Sequence, residues 1–400
     1  MRILMISATF PYPPTRGGTQ IRTFYLLQHL SQRHEVTLVT QRAAAVTDDE
    51  VQALASHVHQ LVCFPRPAAA PPGLGGKASR FAHFLATGTP PSTTCLHSPA
   101  MQQWIDDWVA AGRCDAITCE HSVNEVFVRP HYRHRVKVVV DIHSSLYGTL
   151  ANQLATGTAE KPRRDRINVH LLRRYERQYV KKFSHLVLTT AEDRQFFAPI
   201  AGATPLHVVP NGVDLGQFPR RPADPGGHSL VFVGAMDYIA NVDTALYLAQ
   251  RILPPLRQRY PDTTLYLVGN QPTPAVVALG QLPGVVVTGR VPSVAEYLHR
   301  ATVCVVPMRI GFGIKNKTLE AMAAGVPVVA SDRGLEGLAV DQPLRALRAN
   351  TVDEYVAAIG QLFDQPDLRA TLAQRSRELI ETTFTWHQAG QAYEAVLTAA

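Results

Sequence analysis

The residues from Val305 to Leu338 read VVPMRIGFGIKNKTLEAMAAGVPVVASDRGLEGL. Arg309, Gly311, Gly313, Lys315 and Lys317 crowd one loop, and Glu320 follows in what should be the first turn of a helix. A glycine-bearing loop exposes backbone N–H groups, and lysines at the positive end of a helix add charge. Together they hold phosphate. A carboxylate one turn further in can accept two hydrogen bonds from a vicinal diol. Phosphate beside sugar points to a nucleotide-sugar.

Other residues could take part. Lys317 and Arg309 are the first choices for cations on a diphosphate, with Lys315 as competitor. Fixed positive charge of this kind can stabilise a departing diphosphate without a metal, and no DxD-type metal motif occurs in the sequence. Gly17 and Gly18 follow PYPPTR after the first strand, where bare backbone can approach a ligand closely; Arg16 and Arg22 border that turn. His143 ends the run VKVVVDIH, so it can bond a sugar hydroxyl near a strand end. Asp141 lies two residues earlier on the same face, as an orienting partner or a strand-end cap. Glu336, in GLEGL, is a further candidate for the sugar or diphosphate.

Elements must position these groups. In the first half, short apolar runs read as strands at Arg2–Ala8, Glu35–Thr40, Gln60–Phe64, Ala116–Cys119, Val136–Ile142, His185–Thr190 and Leu206–Val209. Thr19–Ser31 carries a helical stripe of Ile21, Phe24, Tyr25, Leu27 and Leu30. A second alternation starts at Ser229, with strands at Leu230–Gly234, Leu265–Gly269, Val285–Gly289, Val303–Pro307 and Val326–Ala330. Helices are expected at Val242–Leu253, Val294–His299 and Thr318–Ala324. Between the halves stand the turn Pro210-Asn211-Gly212 and the linker FPRRPADPGGHS. Pro65–Gly76 is expected to be a surface loop. The fold class is α/β: two doubly wound, Rossmann-like parallel sheets in tandem. The domains expected are 1–210, 211–383 and a terminal helix over 384–400 that packs back on the first. Ligands in such folds bind at the carboxyl ends of the strands, and here also between the domains.

Length and composition agree. Four hundred residues exceed one ordinary core, and 46% hydrophobic with 18% charged residues describes a globular enzyme. The formal net charge of +7 suits anionic ligands or surfaces. The five cysteines contain no CxxC pair, so free thiols are expected, with Cys63 and Cys304 in core strands. The apolar start MRILMISATF is too short for a secretory signal, and no apolar run is long enough to span a membrane. A cytoplasmic protein is expected. Residues 161–183 carry nine Lys/Arg against Asp165 and Glu176, with Ile167, Leu171, Tyr175, Tyr179 and Phe183 recurring every fourth residue. The stripe reads as core, and the charges read as a solvated face or a dock for anionic lipid on the inner face of a membrane. Nucleic acid is not expected, since no reader motif accompanies the charge.

With these residues placed, the chain resembles the retaining glycosyltransferases of family 4, which have the GT-B fold. MRILMIS, PPTRGGTQIR and HEVTLVT are similar to the family's opening strand and glycine loop. VVPNGVD resembles its hinge, and LVFVGAMDYIANVD with GIKNKTLEAMAAGVPVVAS resembles the branch of exopolysaccharide and cell-envelope sugar transferases. The resemblance implies a UDP- or GDP-linked sugar donor on the C-terminal domain, a glycan or lipid-linked acceptor on the N-terminal domain, retention of configuration, and no metal or cofactor. Glu320 matches the second glutamate of the family's E-x7-E motif, which takes the ribose, while the first is replaced by Phe312. Lys317 matches the lysine three residues before that glutamate. His143 is similar to the histidine that faces the donor sugar, and Gly289, Arg290 and Val291 match the backbone that meets the nucleobase. Closure about Pro210–Asp214 would exclude water. Two other readings compete: a nucleotide-sugar epimerase on the same architecture, and a catalytically silent subunit of another transferase.

Overall fold

A computed structural model describes residues 1–15, 17–68, 84–85 and 88–399. Arg16 and residues 69–76 of the expected Pro65–Gly76 loop lie outside the described residues. The chain divides into two compact units, Met1–Pro210 with Ala389–Ala400, and Asn211–Gln388.

The first unit is built on a sheet of seven parallel strands: β1 (Arg2–Ser7), β2 (Glu35–Arg42), β3 (Gln60–Pro65), β4 (Ala116–Glu120), β5 (Lys137–Ile142), β6 (His185–Leu188) and β7 (Leu206–Val208). Their order is β3-β2-β1-β4-β5-β6-β7. Central strands such as β1 and β5 are buried almost throughout, the pattern of a sheet covered on both faces. β3 is one of the two edge strands and is half-exposed, so Cys63 lies at the surface and not in the core as expected; Cys304 is buried. β6 also ends two residues before the expected Thr190. Thr190 turns its hydroxyl to accept from the Asp193 N–H at 3.0 Å, capping the helix Ala191–Ala201.

The second unit has six parallel strands: β8 (Ser229–Val233), β9 (Thr264–Val268), β10 (Val285–Gly289), β11 (Val303–Val306), β12 (Val328–Ala330) and β13 (Leu347–Arg348), in the order β10-β9-β8-β11-β12-β13. Alternate residues of each strand feed two apolar layers. Val231, Cys304, Val306 and Val328 face one, and Leu230, Phe232, Val303 and Val305 face the other. The helix expected over Val242–Leu253 starts earlier, at Ile239, and continues beyond Leu253 through a wider turn at Leu248–Ile252. In both units the strand order reverses once, between β1 and β4 and between β8 and β11. Sheets of this kind bind ligands at such reversals, outside the carboxyl ends of the strands.

The basic helix runs over Pro162–Tyr179, but its inner face differs from the expected stripe. Leu172, Tyr175, Glu176 and Tyr179 are buried, whereas Ile167 is 58% exposed. A strict four-residue repeat drifts by ~40° per step round a helix of 3.6 residues per turn, so its first member leaves the core face.

Candidate active site

In the second unit the candidate residues gather outside the β8/β11 switch point. Gly234 follows β8, and its N–H donates to the Val268 carbonyl at 3.0 Å. Gly269 follows β9. A Cβ there would sit 1.7 Å from the Gly234 carbonyl oxygen, so only glycine lets the two strand ends approach this closely. Gly289 closes β10 at φ 66°, and its carbonyl accepts from Gly269 N–H. Arg290 beyond it is exposed, and Val291 packs partly against the core. Gly311 and Gly313 both take positive φ, 132° and 74°, which turns the loop after β11 back toward the next helix.

That helix spans Asn316–Ala323. Glu320 therefore sits in its second turn, not the first, because the helix begins two residues before the expected Thr318. Lys315 is the residue before the helix, and Lys317 lies in its first turn. The three cations differ in their surroundings. Arg309 reaches across to the helix Ile239–Tyr247, where its Nε donates to Asp243 Oδ2 at 3.1 Å and its Nη2 to Oδ1, and its guanidinium lies 4.9 Å from the Tyr247 ring centroid. Lys315 is buried; it donates to the Gly313 carbonyl and pairs with Glu336 at 3.0 Å, and Glu336 also holds Arg333. Lys317 has neutral near neighbours. Its ammonium donates to Asn241 Oδ1 at 2.5 Å and lies 4.6 Å from the Phe232 ring centroid. Burial pulls Lys317 down to about 7, against the opposing charge of Glu320. Burial likewise pushes Glu320 up to about 7, with Lys317 opposing. Each of these two groups is thus poised to be fully charged by a ligand of opposite polarity. A hydroxyl on Thr318 donates to the Gly334 carbonyl at 2.8 Å and anchors the helix to the turn after β12. Asn211 donates to Asn316 Oδ1 at 2.6 Å and anchors it from the other side.

The first unit carries a second polar cluster, at the ends of β4 and β5. His143 Nε2 lies 2.8 Å from Asp141 Oδ2, and the fully buried Asp141 also accepts from Arg22 Nε and Nη2 at 2.6 and 2.8 Å. Burial pushes the Asp141 carboxyl upward, but Arg22 and His143 outweigh it and hold the group well below the usual range. Asp141 is therefore a carboxylate, and His143 Nε2 is the donor in that bond. His143 Nδ1 is buried with no hydrogen-bond partner among the described residues. Arg22, read from sequence as bordering the glycine turn, is instead buried beneath it as the partner of Asp141. Gly17 is extended, and its carbonyl accepts from Ile21 N–H at 3.0 Å as the helix Gly18–Ser31 begins.

Sequence reading passed over Glu120, His121 and Tyr393 in this cluster. Glu120 accepts from Thr118 Oγ1 at 2.7 Å and Tyr393 OH at 3.2 Å. Burial and the nearby Asp141 push it well above the carboxylate range. His121 takes φ 72° with ψ 137°, a sparsely populated backbone region that costs a non-glycine residue ~1–3 kcal/mol. Its Nδ1 accepts from Val123 N–H at 3.2 Å, so in the neutral ring Nε2 carries the proton toward Ser144 Oγ, and its ring meets His143 edge-on at 5.1 Å. Burial draws its pKa down to about 3, which keeps it neutral. A non-glycine residue in strained backbone next to a strand end is the signal in such a case, and it is invisible before the fold is known. In the second unit Asn241 and Asp243 were likewise missed, although an amide and a carboxylate on a mostly apolar helix after a strand-end glycine were a usable sign.

Residues 16–217 match the family model "Glycosyltransferase Family 4", and residues 227–365 match "Glycosyl transferases group 1". A glycogen synthase of Mycobacterium tuberculosis is 29% identical over 52% of this chain and 51% of its own length. A D-inositol 3-phosphate glycosyltransferase of Jonesia denitrificans is 30% identical over 46% and 47%. The chain thus spans about half the length of the curated relatives it matches. Among solved structures, the sucrose-phosphate synthase of Thermosynechococcus elongatus superposes with a TM-score of 0.74 at 17% identity, covering all of both chains. Anabaena Alr3699/HepE, solved in complex with UDP, gives 0.67 at 15% identity, also over all of both chains. With two parallel α/β sheets, each reversing its strand order once, and a family match over half its length, the chain has the GT-B fold and belongs to glycosyltransferase family 4.

Proposed function

We propose that this protein is a retaining glycosyltransferase that moves a hexose from a nucleoside diphosphate to an acceptor hydroxyl, in the synthesis of a polysaccharide or glycoconjugate. One observation carries the reading. Lys317 and Glu320 stand on one helix at the switch point of the second sheet, the lysine held by neutral partners and both groups desolvated. A diphosphate satisfies the first and a ribose diol the second. That relatives of this fold have been solved with UDP and with UDP-glucose supports a nucleotide-sugar donor. In the reaction the bond from the anomeric carbon to the diphosphate oxygen breaks, and the acceptor oxygen bonds to that carbon on the same face. The acceptor proton passes to a phosphate oxygen of the donor. Lys317 stabilises the charge that builds on the diphosphate, Arg309 and the Gly311–Gly313 backbone assist, and no metal is required. Lys315 shapes the loop through Glu336. His143 offers Nδ1 to a sugar hydroxyl, with Gly17 and Gly18 leaving room beside it, while Gly289, Arg290 and Val291 meet the base.

No helix among the described residues is long and apolar enough to cross a membrane. The exposed arginines of the Pro162–Tyr179 helix, with the exposed Ile167 among them, support docking on an anionic membrane surface, where a lipid-linked acceptor would lie. The central test is a thermal-shift screen against UDP-, GDP- and ADP-sugars, with a Lys317→Met/Arg309→Ala double variant as control. One donor should raise the wild-type midpoint and lose at least ~30-fold in affinity in the variant. Wild-type affinity in the variant would sink the phosphate assignment.

A further inference from the structure

We infer that Asn241 is a positioning residue for Lys317, fixing its ammonium at the β8/β11 switch point without adding negative charge, so that the whole charge faces a diphosphate. The inference rests on the reading of Lys317 as the diphosphate cation.

The geometry of the amide is determined on both sides. Asn241 is 5% exposed; its Oδ1 accepts from Lys317 Nζ at 2.5 Å and its Nδ2 donates to the Ala235 carbonyl at 2.8 Å. Flipping the amide would set –NH2 against ammonium and oxygen against carbonyl, so only one orientation is allowed. The backbone N–H of Asn241 donates to Tyr238 O at 2.8 Å, which locks the residue in the first turn of the Ile239–Tyr247 helix. Gly234 opens the slot: a Cβ there would sit 2.7 Å from Asn241 Nδ2 and 3.0 Å from Lys317 Nζ.

The choice of an amide is chemically specific. The neighbouring cations all bind carboxylates: Arg309 to Asp243, Lys315 and Arg333 to Glu336. A carboxylate at 241 would give Lys317 the same compensation and weaken its pull on a phosphate. The titratable groups that act on Lys317 are Glu320 on its own helix, Lys315 in the loop before it, and Cys304 on β11 beneath. β8 contributes the Phe232 ring and the Ile239–Tyr247 helix the Asn241 amide, neither of which titrates. Binding of a diphosphate near neutral pH should therefore draw a proton onto Lys317, in step with its depressed value of about 7.

The test uses inorganic pyrophosphate, which carries the diphosphate charge without committing to a base. Its binding to the full chain is measured by calorimetry from pH 6 to 8.5 in two buffers of different ionisation enthalpy, which counts protons taken up. The wild type should take up a proton on binding above pH 7. Asn241→Ala should lose affinity by ~3-fold and Asn241→Asp by ~10-fold or more at pH 7, the latter with proton uptake displaced to higher pH. The displaced proton uptake is the decisive readout, because Asp also sets an oxygen against the Ala235 carbonyl and so loses affinity on structural grounds, whereas a purely structural role would leave the pH of proton uptake unmoved. Asn241→Asp with wild-type affinity and proton uptake overturns the inference. Lys317→Met with wild-type affinity overturns the underlying reading of the cation instead; a loss in Lys317→Met with none in either Asn241 variant leaves that reading and removes Asn241 alone.

Discussion

Glu176 is a buried acid whose ionisation should be read in the stability of the first unit. It is 1% exposed, both carboxylate oxygens lie 2.9 Å from Ser145 Oγ, and Oε1 accepts from Tyr147 N–H at 3.2 Å. Ser145 in turn caps the Gly148 N–H at 2.7 Å, so Glu176 steadies the segment that begins two residues after His143. Burial pushes the carboxyl up to about 7, and these hydrogen bonds only partly offset it. The folded state therefore holds a proton that the unfolded chain releases above its ordinary value of 4.5. Stability contributed by the protonated form is present at low pH and is lost as pH rises from about 4.5 to about 7. The interval from about 4.5 to about 7, at ~1.36 kcal/mol per pH unit, amounts to about 3 kcal/mol. Glu176→Gln keeps an acceptor oxygen and cannot ionise. Its stability relative to wild type should rise from about 1 kcal/mol or less at pH 5 to about 3 kcal/mol at pH 8. Urea unfolding at both pH values, followed by the fluorescence of Trp104 and Trp108, stacked at 4.6 Å in the first unit, measures this difference. A difference that is the same at pH 5 and pH 8 refutes the reasoning.

Asp141→Asn leaves the buried Arg22 guanidinium facing a neutral group. It should cost the first unit ~3–5 kcal/mol, measured by the same unfolding, and remove the stability wild type loses as pH falls below the ordinary aspartate value. In the second unit, a Cβ at Gly212 would sit 2.2 Å from Trp386 N and 2.4 Å from Thr385 C, both backbone atoms. Gly212→Ala should break the neighbouring bridge between Val213 and Thr385 and lower stability by ~3 kcal/mol or more; a calorimetric midpoint equal to wild type would contradict this.

Much of the scaffold was legible in the chain. Strands buried on both faces must be written as nearly continuous apolar runs, so β1, β4, β5, β8 and β11 could be placed from composition alone. Edges were harder, because an edge strand like β3 has the same local pattern but one open side, and Cys63 was misplaced for that reason. The loop from Arg309 to Lys317 was legible as a basic, glycine-bearing turn leading into a helix, because glycines and cations adjacent in sequence act locally.

What the sequence by itself determined is therefore the local grammar: two α/β alternations, a turn between them, and a basic glycine loop leading into a helix with Lys317 and Glu320. Only the tertiary structure decided how each charge is used. Lys317 meets Asn241 across 76 residues, Arg309 meets Asp243 across 66, and Arg22 meets Asp141 across 119. Those partners are set by strand order and by where each sheet reverses, which no local pattern encodes. Burial then sets the strength of each charge, because the cost of desolvating an ion depends on everything packed around it.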